Sequence, residues 1–143
     1  MDEPRIEISA LQSIPFFAGL DPGDLEGILG VGAPVSFDPD HVIVEEGDPG
    51  DAMFVVVSGE ARVEVGGRFH VLGPGDFFGE MALIAPGRRM ATVKAVEPVQ
   101  ALRVPADDFQ SFLLRHPTVA LAMLKAIVLR LREVEQRIDA WMA

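Results

Sequence analysis

The feature that most constrains this chain is a run of short, valine-rich segments between Val35 and Val104, each cut off by Gly, Pro or Asp. Segments of four to six residues at this spacing read as strands, and we place them at 34–37, 42–45, 53–57, 61–65, 68–72, 91–96 and 99–104. Ala61-Arg-Val-Glu-Val65 alternates with period two, so it should have one buried and one wet face. Met53-Phe-Val-Val-Val57 is apolar throughout and reads as a central strand covered on both sides. Ser58-Gly59 and Gly66-Gly67 mark hairpin turns. Seven or more short strands of this kind close into a sandwich or a rolled barrel.

The flanks are helical. Ile6, Ile8, Leu11 and Ile14 form an apolar face ended by Pro15, and Asp21-Pro22-Gly23-Asp24 opens a second short helix with a cap and a first-turn proline. After Pro105 a short helix runs to Leu114 and breaks at His116-Pro117. A long one follows from about Thr118, with no Gly or Pro to its end. The expected fold is α+β: an antiparallel, jelly-roll-like β-roll of about eight strands with short N-terminal helices and a long C-terminal helix. The chain of 143 residues is read as one domain, with N-terminal helices over 1–33, the roll over 34–104 and C-terminal helices over 105–143.

Charge narrows the function. The net charge of −10 argues against a nucleic-acid binder. The split is uneven, because residues 1–60 hold thirteen acids and the single base Arg5, whereas residues 61–143 hold nine acids and eleven bases. Arg88, Arg89 and Lys94 lie within seven positions. A protein that gathers positive charge locally on an acidic background is suited to holding one anion. Every apolar run is interrupted before it reaches the length of a membrane span, and the acidic start carries no signal-peptide pattern. The absence of Cys excludes disulfides and thiolate metal sites, and a cytoplasmic setting is expected.

The segment 73–93, GPGDFFGEMALIAPGRRMATV, contains the chemistry. A single helical turn over Gly79–Leu83 would turn its amides toward a ligand, and small Gly79 and Ala82 allow close approach. Glu80 accepts hydrogen bonds but repels an anion, so it suits a hydroxyl-bearing part of a ligand whose anionic part meets an arginine. Carboxylate, amides and guanidinium together point to a sugar phosphate. Arg88 neighbours Arg89 in an extended segment, so its side chain should point the other way, as a solvated neighbour adding long-range field.

The same residues resemble the phosphate-binding cassette of cyclic-nucleotide-binding domains, the superfamily of catabolite activators, kinase regulatory subunits and cyclic-nucleotide-gated channels. The cassette pattern F-G-E-x-A-L followed by R-x-A-T/S-V is matched by Phe78–Leu83 and Arg89–Val93, within a cassette spanning 77–93. A second signature, IVEEGDPGDAMFVVV, covers Ile43–Val57, and a weaker one, IPFFAGLDPGDLEGIL, covers Ile14–Leu29. The resemblance implies that Glu80 and the Gly79 backbone bind the ribose 2′-hydroxyl and that Arg89 pairs with the cyclic phosphate. Amides of Ala82 and Met90 would complete the phosphate shell. Met81, Ala91 and Thr92 belong to the same ligand-binding set, and Asp48 would orient Arg89 from behind. Met90 stands where cGMP-preferring relatives commonly carry a hydroxyl, so cAMP is the expected ligand and cGMP the second; no cofactor or metal is implied.

The terminal helix carries apolar residues at alternating spacings of four and three: Ala120, Leu124, Ile127, Leu131, Val134, Ile138 and Trp141. This is a heptad seam with Leu124, Leu131 and Ile138 at a, and in a parallel homodimer Arg130 at g would attract Glu135 at the following e. Pairing over Ala120–Trp141 is one reading. The other is a lid over the nucleotide, with Ile127, Arg130 and Leu131 nearest the base. In the family this helix shifts when nucleotide binds, which makes the chain a sensor.

A catalytic reading finds no support in the sequence. His41, His70 and His116 are scattered, and neither a His-Glu-x-x-His nor a Gly-x-Ser-x-Gly arrangement occurs. The remaining alternative is an interaction and dimerisation module of the same fold that has lost nucleotide binding. The sequence names no downstream effector. The Met1 start fits a stand-alone sensor, and an end inside a helix fits an excised piece of a larger protein.

Overall fold

A computed structural model describes residues 6–12, 17, 19–79, 82 and 87–142, and for residues 130, 134 and 137–142 the backbone alone. Among the described residues two short helices, α1 (Ile8–Gln12) and α2 (Pro22–Val31), precede ten strands. These are β1 (Ala33–Phe37), β2 (Val42–Val44), β3 (Pro49–Gly50), β4 (Ala52–Ser58), β5 (Ala61–Val65), β6 (Arg68–Leu72), β7 (Phe77–Phe78), β8 (Gly87–Arg88), β9 (Thr92–Ala95) and β10 (Val99–Pro105). Helices α3 (Ala106–Arg115) and α4 (Pro117–Met142) follow.

The strands form two four-stranded antiparallel sheets, β1-β10-β4-β7 and β2-β9-β5-β6, and a two-stranded ladder β3-β8. The long strands fall where the apolar runs place them. β3, β7 and β8 have two residues each, too short for any periodicity, and their pairing partners rather than their composition define them.

β4 explains why its sequence is apolar without alternation. Met53 and Val55 face a core shared with Leu11, Leu25, Ile28, Phe109, Phe112, Val119 and Met123 from the helices. Phe54 and Val56 face a second core between the two sheets, with Val63, Phe78 and Val93. From Ala52 to Val56 both faces are dry, so each of these positions is apolar, and the strand turns polar only at exposed Ser58. By contrast β6 lies at a sheet edge, and Phe69 and Val71 are exposed.

Local chemistry sets the ends of the elements. Asp21 caps α2 by accepting from the Asp24 amide at 2.8 Å, with Pro22 at the first helical position. Gly66 and Gly67 both have positive φ, the conformation of the two-residue turn that joins β5 to β6. At the α3–α4 break the His116 ring stacks on Phe112 at 4.2 Å, and its Nδ1 lies 3.4 Å from Asp24 Oδ1. Among the described residues no single helix is long and apolar enough to cross a membrane.

On α4, Val119 and Met123 are buried in the helical core, with Ala122 and Ala126 packed against it. The heptad positions Leu124, Ile127 and Leu131 face outward with Leu121, Val128 and Leu129. The side chains of Val134, Ile138 and Trp141 lie outside the described residues.

Candidate functional site

Between the two sheets opens a cavity of about 290 Å³, lined by Val44, Gly50, Val63, Phe78, Gly79, Ala82, Gly87–Ala91 and Val93. Its walls follow from strand alternation. Val63 on β5 and Val93 on β9 are register partners that both point inward. The wall is apolar and Arg89 supplies cationic charge within it, an arrangement suited to an anion carried on an apolar body.

Arg89 is held from several sides. Its Nη2 donates to the Ala52 carbonyl at 2.9 Å. Among the described residues this bond uses one of the five N–H donors of a guanidinium. Gly50 and Gly79 make the room. A Cβ at Gly50 would lie 3.0 Å from Arg89 Nε, and one at Gly79 would lie 2.5 Å from Nη1 and 2.9 Å from the Ala52 carbonyl. Gly79 also has φ +79°, a conformation that L residues rarely adopt. Burial lowers the Arg89 pKa from its ordinary value; the negative charge of Asp51 raises it and the positive charge of Arg103 lowers it further. An arginine stays protonated through such shifts, so the site presents a partly desolvated cation.

Several expected site residues meet here. Gly79, Ala82, Arg89, Met90 and Ala91 all line the cavity, although Met90 is 67% exposed. The Ala82 amide, expected to face the anion, donates to the Gly79 carbonyl at 3.1 Å and closes the turn instead. Glu80, Met81 and the side chain of Arg130 lie outside the described residues.

Other expectations are corrected. Thr92 is one residue from inward-facing Val93, so it points to the opposite face of β9, where its Oγ1 accepts from the Glu46 amide at 3.0 Å. Replacing Thr92 by valine should therefore remove no direct ligand contact, and a loss of affinity of at most about threefold by calorimetry would come through the Glu46 segment that it holds. Asp48 acts on Arg89 through its main chain, its carbonyl accepting from the Arg89 amide at 2.7 Å. Among the described residues the acid whose field reaches Arg89 is Asp51, which also lies 3.3 Å from Arg103. Arg88 is not merely solvated, because its Nη1 donates to the Gly47 carbonyl at 2.7 Å. Among the described residues none of α4 lines the cavity, and Ile127 and Leu131 are not over it. They share the helix that borders a separate groove with Leu20, Pro74 and Phe77.

Sequence reasoning missed the Ala52 carbonyl, Val63, Phe78 and Val93. The alternation of β5 and β9 was the available signal for the two valines. Nothing in the sequence marks a main-chain carbonyl as an arginine partner. Among the described residues no group of three or more His, Asp or Glu converges on a metal site.

A β-roll whose inter-sheet cavity holds one desolvated arginine beside a glycine-rich turn defines a binding module for a small anionic ligand. The family described as "Cyclic nucleotide-binding domain" matches residues 34–116, and the chain belongs to it. It is 27% identical over 130 residues to a CRP-like cAMP-activated global transcriptional regulator of Mycobacterium tuberculosis, covering 85% of this chain and 57% of that one. It is 32% identical over 135 residues to the cyclic AMP receptor protein of Thermus thermophilus, covering 90% and 62%. The crystal structure of the N-terminal domain of a transcriptional regulator from Streptomyces coelicolor A3(2) superposes with a TM-score of 0.72 at 33% identity, covering 89% of this chain and 95% of that one. The chain thus spans about six-tenths of the length of the two regulators it resembles in sequence.

Proposed function

We propose that the protein senses a cyclic nucleotide, cAMP ahead of cGMP, without catalysis and without a cofactor or metal. The observation that carries this reading is the Arg89 guanidinium, set in the cavity by Ala52 between two glycines that leave it room. Arg89 takes the cyclic phosphate and Glu80 the ribose 2′-hydroxyl, as the cassette resemblance implies. The apolar wall of Val44, Val63 and Val93 faces the rest of the ligand. Met90 offers no side-chain hydrogen-bond partner to a guanine, which favours adenine. Titration with cAMP and cGMP by calorimetry tests the reading. Saturable binding with cAMP at least about threefold tighter supports it. No heat with either nucleotide would leave the interaction module that has lost its ligand.

Signalling would run through α4, whose movement against the roll reports occupancy, and through its pairing in a homodimer. What supports pairing is the outward row of Leu124, Ile127 and Leu131. Charging that row with the double substitution L124E/L131E should weaken the dimer at least about tenfold, since two buried leucines are worth about 1.5–3 kcal/mol each. Sedimentation equilibrium reads this directly, and Trp141, the single tryptophan, reports movement of the helix.

A further inference from the structure

The turn Glu45–Asp51, EEGDPGD, places four acids next to the arginine that the cavity presents. The acids of such a turn repel one another, and of the four the one whose field reaches Arg89 among the described residues is Asp51. The turn is nonetheless fixed there by a dense set of bonds. Its Gly47 amide donates to the Arg89 carbonyl at 2.9 Å, and the Arg89 amide donates to the Asp48 carbonyl at 2.7 Å. Pro49 and Gly50 pair in register with Arg88 and Gly87. Side chains also bond the main chain of the turn: Thr92 Oγ1 accepts from the Glu46 amide at 3.0 Å, and Arg88, the charged one, donates from Nη1 to the Gly47 carbonyl at 2.7 Å. Gly47 has φ +90°, which turns its carbonyl into a place few residues could offer it.

We infer that Arg88 is a positioning residue for Arg89: it locks the acidic turn onto β8 and so fixes the main chain from which Arg89 reaches the Ala52 carbonyl. Gly50, whose missing Cβ leaves space for Arg89 Nε, belongs to that same turn. A turn that drifts therefore carries away both the main-chain anchor of Arg89 and one wall of its slot. This inference rests on the nucleotide-sensing reading for its ligand, but the clamp itself is a property of the unliganded protein.

The test compares Arg88→Gln, Arg88→Lys, Arg89→Ala and the double variant R88Q/R89A. Without ligand, the Gly47 and Arg89 amides should exchange with solvent at least about tenfold faster in R88Q, with the rest of the chain and the thermal midpoint unchanged. The Arg89 Nε–H resonance should move with them. With cAMP, R88Q should bind about three- to tenfold more weakly and R88K in between. In the R89A background the R88Q loss should vanish, because Arg88 acts through Arg89. Unchanged exchange in R88Q overturns the inference, as does wild-type affinity in R88Q. So does a loss that persists in R89A, which would make Arg88 a ligand contact in its own right. A loss removed by about 1 M salt, where the screening length is about 3 Å, would reduce Arg88 to long-range field and also overturn it. If the wild-type protein binds no cyclic nucleotide, the sensing reading fails, and amide exchange with the Arg89 resonance alone decides the clamp.

Discussion

Arg89→Ala should weaken cAMP binding by one to two decades while leaving the unliganded fold nearly as stable. A hydrogen bond to a charged group is worth about 1.5–3 kcal/mol, and each 1.4 kcal/mol is a factor of ten in affinity. Arg89 is partly desolvated and steered by the Ala52 carbonyl, so its geometry is set before a ligand arrives. The stability of the empty protein should change little, because two effects oppose one another. Burial penalises the guanidinium, as its lowered pKa records, and the bond to Ala52 compensates it. Arg89→Lys retains the charge but not the planar fork, so it should restore only part of the lost affinity. Calorimetry with a parallel thermal melt separates the two quantities. Affinity within about twofold of wild type in R89A would remove Arg89 from the site.

The contrast between Arg89 and its neighbours shows what was legible in the residues. Apolar periodicity placed the long strands and the terminal helix, because burial on one face or two leaves a direct trace in composition. The motif at 78–83 and 89–93 placed the cavity, which Gly79, Ala82, Arg89, Met90 and Ala91 line. Failures came where a side chain's direction depends on its register. Thr92 sits in the motif but on the wrong side of β9, a fact that alternation from buried Val93 already implied. Arg88 is exposed, as alternation leads one to expect, but alternation says nothing of the turn carbonyl of Gly47 that its guanidinium also reaches. A carboxylate is the conspicuous partner of an arginine, which points to the Asp48 side chain, yet the partner is its main chain. For α4, the heptad seam was visible, but a helix with two apolar faces can bury either against the roll. Val119 and Met123 took that place, leaving Leu124, Ile127 and Leu131 outside.

Gly79→Ala is the sharper probe, because it adds one methyl group and removes no ligand contact by itself. The new Cβ would sit 2.5 Å from Arg89 Nη1 and 2.9 Å from the Ala52 carbonyl, at a φ of +79°. The guanidinium is the far end of a flexible side chain and can retreat; the carbonyl belongs to β4 and cannot do so cheaply. The left-handed conformation alone costs an alanine about 1–2 kcal/mol, which should appear as a modest drop in thermal midpoint. The larger effect is on function: the methyl group displaces Arg89 from the position it holds between Gly50, Gly79 and Ala52, and cAMP affinity should fall at least about tenfold. Because the two changes remove the same interaction, G79A should add little in an R89A background, so the double variant is expected within about threefold of R89A. Losses that multiply instead would mean that Gly79 contacts the ligand independently of Arg89, through its own main chain. An affinity unchanged in G79A would mean that the guanidinium can serve the phosphate from elsewhere in the cavity.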